Sequence, residues 1–363
     1  MRTIKMKSKA DLVKGQGVLS AYHEQVNLVS QGLEGKYKVA TNKMGVYDIT
    51  HFHTLFPFWF LNVPLAKQGG AVVGYVHFLP ETLENSIKIP WPFKTLFYKF
   101  LTAFYKNMDY LVTVNPVFVT KLIALGIDSE KVHYIPNYVD EKTFFPYDSD
   151  EKLRLRKEYG YDAHEFLVLG VGQLQTRKGV CDFIEVARQR PDMKFLWAGG
   201  FSFGTMSDGY AQIKASVESA PENVRFMDLV NREEMNTLYN MADVLLLPSF
   251  QELFPMTILE AMNCRLPILL RDLDEYKEIL FDYYLKGNSV DDFVQELGAL
   301  QSDRVFYDSW CERSWVGHQY YSRERILAKW EAFYDMVYEK TQGRKAKRRG
   351  ALRKTDRDSR DVS

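Results

Sequence analysis

The chain has 363 residues, 46% hydrophobic and 26% charged, with 47 basic and 47 acidic side chains. That is room for about two domains at roughly 150 residues each, and it excludes both a disordered chain and a polytopic membrane protein. Three scattered cysteines, Cys181, Cys264 and Cys311, form no CxxC pair, which argues against a disulfide framework or zinc site and for a reducing compartment.

The opening MRTIKMKSKADLVKGQG is basic but lacks the apolar stretch of a secretory signal. KGQGVLSAYHEQVNLVSQGL (14–33) then reads as a loop and a helix. Its Gly15 and Gly17 would let the backbone approach a ligand, although on these residues alone a flexible loop with no ligand is the simpler reading. Strands are predicted at 38–41, 47–54, 71–79, 110–115 and 132–137, two of them ending in histidine, His53 and His77. The apolar run 55–61 is too short to span a bilayer, which takes about 20 residues. In WPFKTLFYKFLTAFYKNM (91–108), Phe93, Leu96, Phe97, Phe100, Leu101 and Phe104 share one helical face and Lys94, Lys99 and Lys106 lie toward the other. That is the pattern of an interfacial helix, and the apolar stripe alone also suits an ordinary core-facing helix. The neighbouring FPFWFLNVP (56–64), with Trp59, and Trp91 add aromatics of the interfacial kind.

Pro146, a run of charges and Gly160 mark a linker near 140–163. Beyond it, apolar runs at 166–172, 194–200, 224–230, 243–249 and 267–270 alternate with helical stretches, which predicts a parallel sheet wrapped by helices. The fold class is therefore α/β, with two doubly wound units in tandem facing a cleft, where ligands sit at the carboxyl ends of strands. The expected division is 1–150, 151–320, a closing helix at 321–343 and a basic tail at 344–363. The tail holds nine Lys or Arg against three Asp, and such blocks usually behave as disordered interaction tails.

Two motifs carry chemistry. In QELFPMTILEAM (251–262), Glu252 ends a loop and Glu260 lies on the helix that Pro255 would open. Two carboxylates so placed can grip two hydroxyl-rich parts of one ligand; the same spacing also suits a helix-dipole partner followed by an exposed helix residue. In VGQLQTRKGV (171–180), a strand passes through Gly172 and a loop into a helix. The loop brings Arg177, Lys178 and free N–H groups to one place, as a diphosphate leaving group requires.

The strand followed by P-S-x-x-E, seven residues and E-A-M resembles the donor-site signature of the family 4 retaining glycosyltransferases, and the matches run in order from about 14 to 285. The resemblance implies the GT-B fold, two Rossmann-like domains. The first domain would face the acceptor and the membrane, and the second would bind a nucleotide sugar. It also implies that Glu252 contacts the transferred sugar, Glu260 the ribose, and Lys178 the diphosphate, with His77 beside the sugar and Gly15, Gly17, Gly172 and Phe254 in the donor site. The chain departs from the family in three places: Gln173 stands at the usual Arg position, with Arg177 as substitute, while Pro255 and Tyr138 each replace a glycine. IPNYVD (135–140) resembles the family's connection between domains.

The aromatic first domain, the R-K-G loop, ELFPMTILEA and LRDLDEYKEI (270–279) most resemble bacterial glycolipid synthases. The reading that follows is a retaining hexosyltransferase using UDP-glucose or UDP-galactose, without cofactor or metal, on diacylglycerol or monoglucosyl-diacylglycerol. The DxD-like pairs Asp148/Asp150 and Asp356/Asp358 fall in the linker and tail and read as solvated charges. Attachment would be peripheral, on the cytoplasmic face of the cell membrane, with anionic lipid drawn to 91–108 and to the basic tail, and no nucleic acid is expected. The alternatives are a capsule or exopolysaccharide transferase acting on a polyprenyl-linked sugar, or a non-catalytic GT-B partner subunit.

Overall fold

The computed structural model describes residues 1–9, 17–79, 91–202, 204 and 207–358, with only the backbone for 91–93 and 347–358. The first half runs β1 (Arg2–Lys7), α1 (Gly17–Gly32), β2 (Tyr37–Thr41), β3 (Ile49–Phe52), α2 (Pro57–Gly69), β4 (Ala71–Val76), α3 (Trp91–Lys106), β5 (Tyr110–Thr113), α4 (Pro116–Ala124) and β6 (Val132–Tyr134). A connecting helix α5 (Ser149–Glu158) leads to β7 (Leu167–Val171), α6 (Val180–Gln189), β8 (Lys194–Ala198), α7 (Tyr210–Glu218), β9 (Val224–Met227), α8 (Arg232–Met241), β10 (Val244–Leu247), α9 (Met256–Asn263), β11 (Ile268–Arg271), α10 (Asp274–Leu280) and β12 (Leu285–Gly287). Three helices follow, α11 (Val290–Ser302), α12 (Arg304–Tyr320) and α13 (Arg323–Asp358).

Every strand pair is parallel. The sheet orders are β2-β1-β3-β4-β5-β6 and β12-β11-β10-β7-β8-β9, so the second has the dinucleotide-binding arrangement and the first a flavodoxin-like one. Helices cover both faces, so the strands are continuous apolar runs rather than alternating ones; all residues of β4 and β7 are buried. Strand β1 was not anticipated because lysines alternate through it: Ile4 and Met6 are fully buried while Lys5 reaches the Gly45 carbonyl, 2.8 Å away.

Sequence expectation and structure differ in three elements. The charged stretch 140–163 is not all loop: Asp148 caps α5 through Glu151 N, 2.9 Å away, and acids at the start and bases at the end suit the helix dipole. Helix α13 runs to Asp358, so most of the basic segment expected to be disordered continues the closing helix; 359–363 lie outside the described residues. Finally, the apolar stripe of α3 is divided. Leu101 and Phe104 are buried in the core, Leu96 is 67% exposed, and Trp59 on α2 is buried rather than interfacial.

Helix α13 belongs to the first domain although it comes last in the chain. Its Trp330 and Tyr334 are buried against β3 and β4: Tyr334 Oη lies 3.0 Å from His51 Nδ1 and accepts from Gln25 Nε2 at 3.1 Å, and the Trp330 ring stacks on Tyr75. At the rim, Lys36 and Arg2 converge on Asp335 at 2.6 and 2.5 Å.

The carboxyl ends of the two sheets meet. Asn115, just past β5, caps α4 by accepting from Val117 N at 3.0 Å, and its Nδ2 donates to the carbonyls of Leu253 and Glu275 at 2.7 and 2.9 Å. Asn137, past β6, donates to the Phe254 carbonyl at 2.9 Å. Two loops of the first domain thereby hold the segment that follows β10.

Candidate active site

The switch point of the second sheet, where strand order reverses, lies between β7 and β10, the place where ligands bind in doubly wound sheets. The loops after these two strands carry the two motifs, and glycine lets them touch. Gly179 sits at φ +69°, and a Cβ there would stand 2.2 Å from the Pro248 carbonyl oxygen. Gly199, at φ +131°, would collide likewise with the carbonyl of Gly172, which also accepts from Trp197 Nε1 at 2.9 Å. Phe250 N donates to the Arg177 carbonyl at 2.7 Å. From β11, Arg271 braces the same corner: its Nε donates to the Pro248 carbonyl at 3.1 Å, it pairs with Asp182, and it lies over the Phe250 ring.

The result is a buried charge cluster. Lys178 Nζ donates to Glu252 Oε1, and Arg177 Nη1 stands 3.8 Å from Glu252 Oε2. Burial alone would raise the Glu252 carboxyl, but Lys178 and then Arg177 outweigh it and hold it below the usual carboxylate range. Burial lowers the Lys178 ammonium despite its partner. One carboxylate faces two cations, so the cluster carries a net positive charge, and Arg177 Nε is buried with no hydrogen-bond partner among the described residues. Such an arrangement suits an anion arriving beside a sugar that the carboxylate can hold.

Glu260 is 5% exposed, which rules out the exposed-helix reading. Its Oε2 accepts from Tyr239 Oη at 2.7 Å and its Oε1 from Arg232 Nη1 at 3.2 Å.

Two family models match this chain: "Glycosyltransferase Family 4" over residues 40–143 and "Glycosyl transferases group 1" over 151–313. The alpha-galactosylglucosyldiacylglycerol synthase of Streptococcus pneumoniae (strain ATCC BAA-255 / R6) is 43% identical over 333 residues, 92% of this chain and 89% of that protein. The chain belongs to the family 4 glycosyltransferases. A processive diacylglycerol alpha-glucosyltransferase of Acholeplasma laidlawii is 24% identical over 80% of this glycosyltransferase and 85% of that protein. Among solved structures, Anabaena HepE in complex with UDP-glucose superposes with a TM-score of 0.72 at 14% identity, covering 93% of this chain and 100% of that one. Sucrose-phosphate synthase from Thermosynechococcus elongatus gives 0.74 at 15%, covering 94% and 100%. The fold is therefore GT-B.

Of the sequence-predicted residues, the glycosyltransferase brings Gly172, Arg177, Lys178 and Glu252 together; the Lys178 stem lies 3.4 Å from where a Gly172 Cβ would be. Gly17 opens α1 with nothing within 4 Å of a Cβ position. Gly15 lies outside the described residues. The Phe254 ring is turned inward, 3% exposed and packed on Tyr321, and its carbonyl is taken by Asn137. His77 stands past β4 on the opposite rim, stacked on Tyr75, with Nε2 lacking a partner among the described residues and burial lowering its pKa to about 3. No contact joins it to the Lys178 cluster among the described residues. His51 and His53 are fully buried beside it, the first tied to Tyr334.

Sequence reasoning assigns no role to Arg232, Tyr239, Arg271, Asn115 or Asn137. Asn137 and Arg271 fall inside IPNYVD (135–140) and LRDLDEYKEI (270–279), which carry only a resemblance, and nothing in the local spacing shows which carbonyl or carboxylate each of the five side chains reaches.

Proposed function

We propose that this glycosyltransferase moves glucose or galactose from a UDP-sugar to diacylglycerol or monoglucosyl-diacylglycerol with retention, forming an α-linked glycolipid at a membrane surface. The observation that carries the reading is the Lys178–Glu252–Arg177 cluster at the switch point, in a chain 43% identical to a synthase named for such a lipid. Arg177, Lys178 and the start of α6 hold the charge that develops on the departing diphosphate, usually the largest catalytic contribution; they supply what a divalent cation supplies elsewhere, so no metal is required. Glu252, kept ionised by the same cations, positions the sugar and faces its positive character. The departing phosphate oxygen takes the acceptor proton. His77, neutral at working pH, accepts or donates a hydrogen bond to a sugar hydroxyl, and Glu260 takes the ribose hydroxyls.

In this reading attachment to the membrane is peripheral; no helix of the described residues is long and apolar enough to cross one. It is supported by a stripe on α2, where Phe58, Leu61 and Leu65 are 63%, 72% and 63% exposed. Helix α2 packs beside α3 through Phe60 on Phe100. The lysines of α3 and the basic end of α13 add attraction to anionic lipid, about 1 kcal/mol per residue close to the surface. The reading places the enzyme on the cytoplasmic face, where nucleotide sugars are found.

The test is incubation with UDP-glucose and UDP-galactose in mixed micelles of diacylglycerol or monoglucosyl-diacylglycerol, with Glu260→Ala as control. Lipid-dependent UDP release with a new α-glycolipid, lost in the control, is the expected result. Donor hydrolysis without lipid product moves the acceptor to a polyprenyl-linked glycan, and absence of UDP binding overturns the enzyme reading in favour of a partner subunit.

A further inference from the structure

One side chain joins Glu260 to the other domain. Arg232 is the first residue of α8, and its guanidinium divides between two buried acids: Nη1 donates to Glu260 Oε1 at 3.2 Å, and Nη2 to Glu24 Oε1 on α1 of the first domain. The chain continues past each end, since Glu24 Oε2 accepts from Asp140 N at 3.2 Å in the connection between domains and Glu260 Oε2 from Tyr239 Oη at 2.7 Å. The two carboxylate side chains are 7% exposed and that of Arg232 33%, so the guanidinium is open on one side while its anions are not. It also lies over the Phe144 ring, at the point where the chain enters the second domain.

We propose that Arg232 is a positioning residue that couples occupancy of the nucleoside site to the first domain: it orients Glu260 for the vicinal hydroxyls of the nucleoside and ties that carboxylate to Glu24 of α1. Glu260 has lone pairs beyond those Arg232 and Tyr239 use, so it can take a diol without losing either partner. Tightening at Glu260 is then felt by α1 through Glu24. This rests on the donor-site reading above.

Burial raises the Glu260 carboxyl and Arg232 and Tyr239 oppose it; Cys264 and Glu24 are the other titratable groups facing it. Removing the guanidinium therefore leaves a carboxyl that ionises only at higher pH. A purely structural arginine would have no such signature.

The experiment is calorimetric titration of UDP into the wild type, Arg232→Gln, Arg232→Lys and Glu24→Gln between pH 7 and 9, together with kcat and donor KM. Arg232→Gln should bind UDP about tenfold more weakly at pH 7, with the deficit shrinking toward pH 9, and Arg232→Lys should recover part of it. Glu24→Gln should keep UDP affinity within about threefold and lower kcat at saturating donor about tenfold. Unchanged affinity in Arg232→Gln, a loss independent of pH, or an unchanged kcat in Glu24→Gln overturns the coupling. If Arg232→Gln does not fold, the kcat-against-affinity split in Glu24→Gln decides alone. A wild type that binds no UDP overturns the donor-site reading and this inference together, whereas normal wild-type binding with flat variants overturns only the inference.

Discussion

At the scale of single residues, the site depends on charges taken out of water in company. Removing one member of a buried ion pair leaves the other uncompensated, at a cost of roughly 3–5 kcal/mol. Lys178→Met should therefore lower thermal stability by that order, and adding Glu252→Gln should restore part of it while the enzyme stays inactive; melting curves of the single and double variants check this. His77 is the contrasting case. Burial holds its imidazole near pKa 3, so it stays neutral from pH 5 to 9. His77→Asn should lower kcat by about tenfold without moving any inflection in the pH–rate profile; a shifted inflection would show that His77 titrates. The motifs on either side of these residues were readable because a cation pair before a helix and two glutamates around a helix start are local patterns. Arg232 was not readable, because the meaning of an arginine at the start of α8 depends on α1, some two hundred residues earlier in the chain.

At the scale of elements, the corner that holds Lys178 and Glu252 is formed by two loops pressed closer than any side chain permits. Gly179 needs a left-handed backbone and leaves no room for a methyl group against Pro248. Gly179→Ala should therefore cost about 1–3 kcal/mol for the backbone alone, and its larger effect should fall on UDP affinity, since Lys178 adjoins it; a variant with wild-type melting and binding would contradict this packing. Helix α2 makes the opposite use of apolar residues. Leu61 and Leu65 are mostly exposed among the described residues, so Leu61→Glu with Leu65→Glu should leave folding intact and reduce sedimentation with anionic vesicles at least tenfold, given about 1.5–3 kcal/mol for each leucine fully buried. The strands of both sheets were legible because parallel strands covered on both faces are unbroken apolar runs. The orientation of α3 was not, since the same stripe serves a core or a membrane, and only the packing of Leu101 and Phe104 decides which part does which.

At the scale of the whole molecule, two tandem doubly wound units could be read from the order of strands and helices, whereas their mutual docking through Asn115, Asn137 and Arg232 could not, since it rests on side chains that reach across from one unit to the other. Helix α13 adds a consequence for biosynthesis. The second sheet is drawn from one uninterrupted stretch, Leu167–Gly287, and α11, which completes its core, follows directly in the chain. The first sheet, although translated earlier, lacks Trp330 and Tyr334 until α13 emerges. The half of the molecule made first is thus the half completed last, and until then the face of its nascent β3 and β4 that α13 shares with α1 must wait half covered.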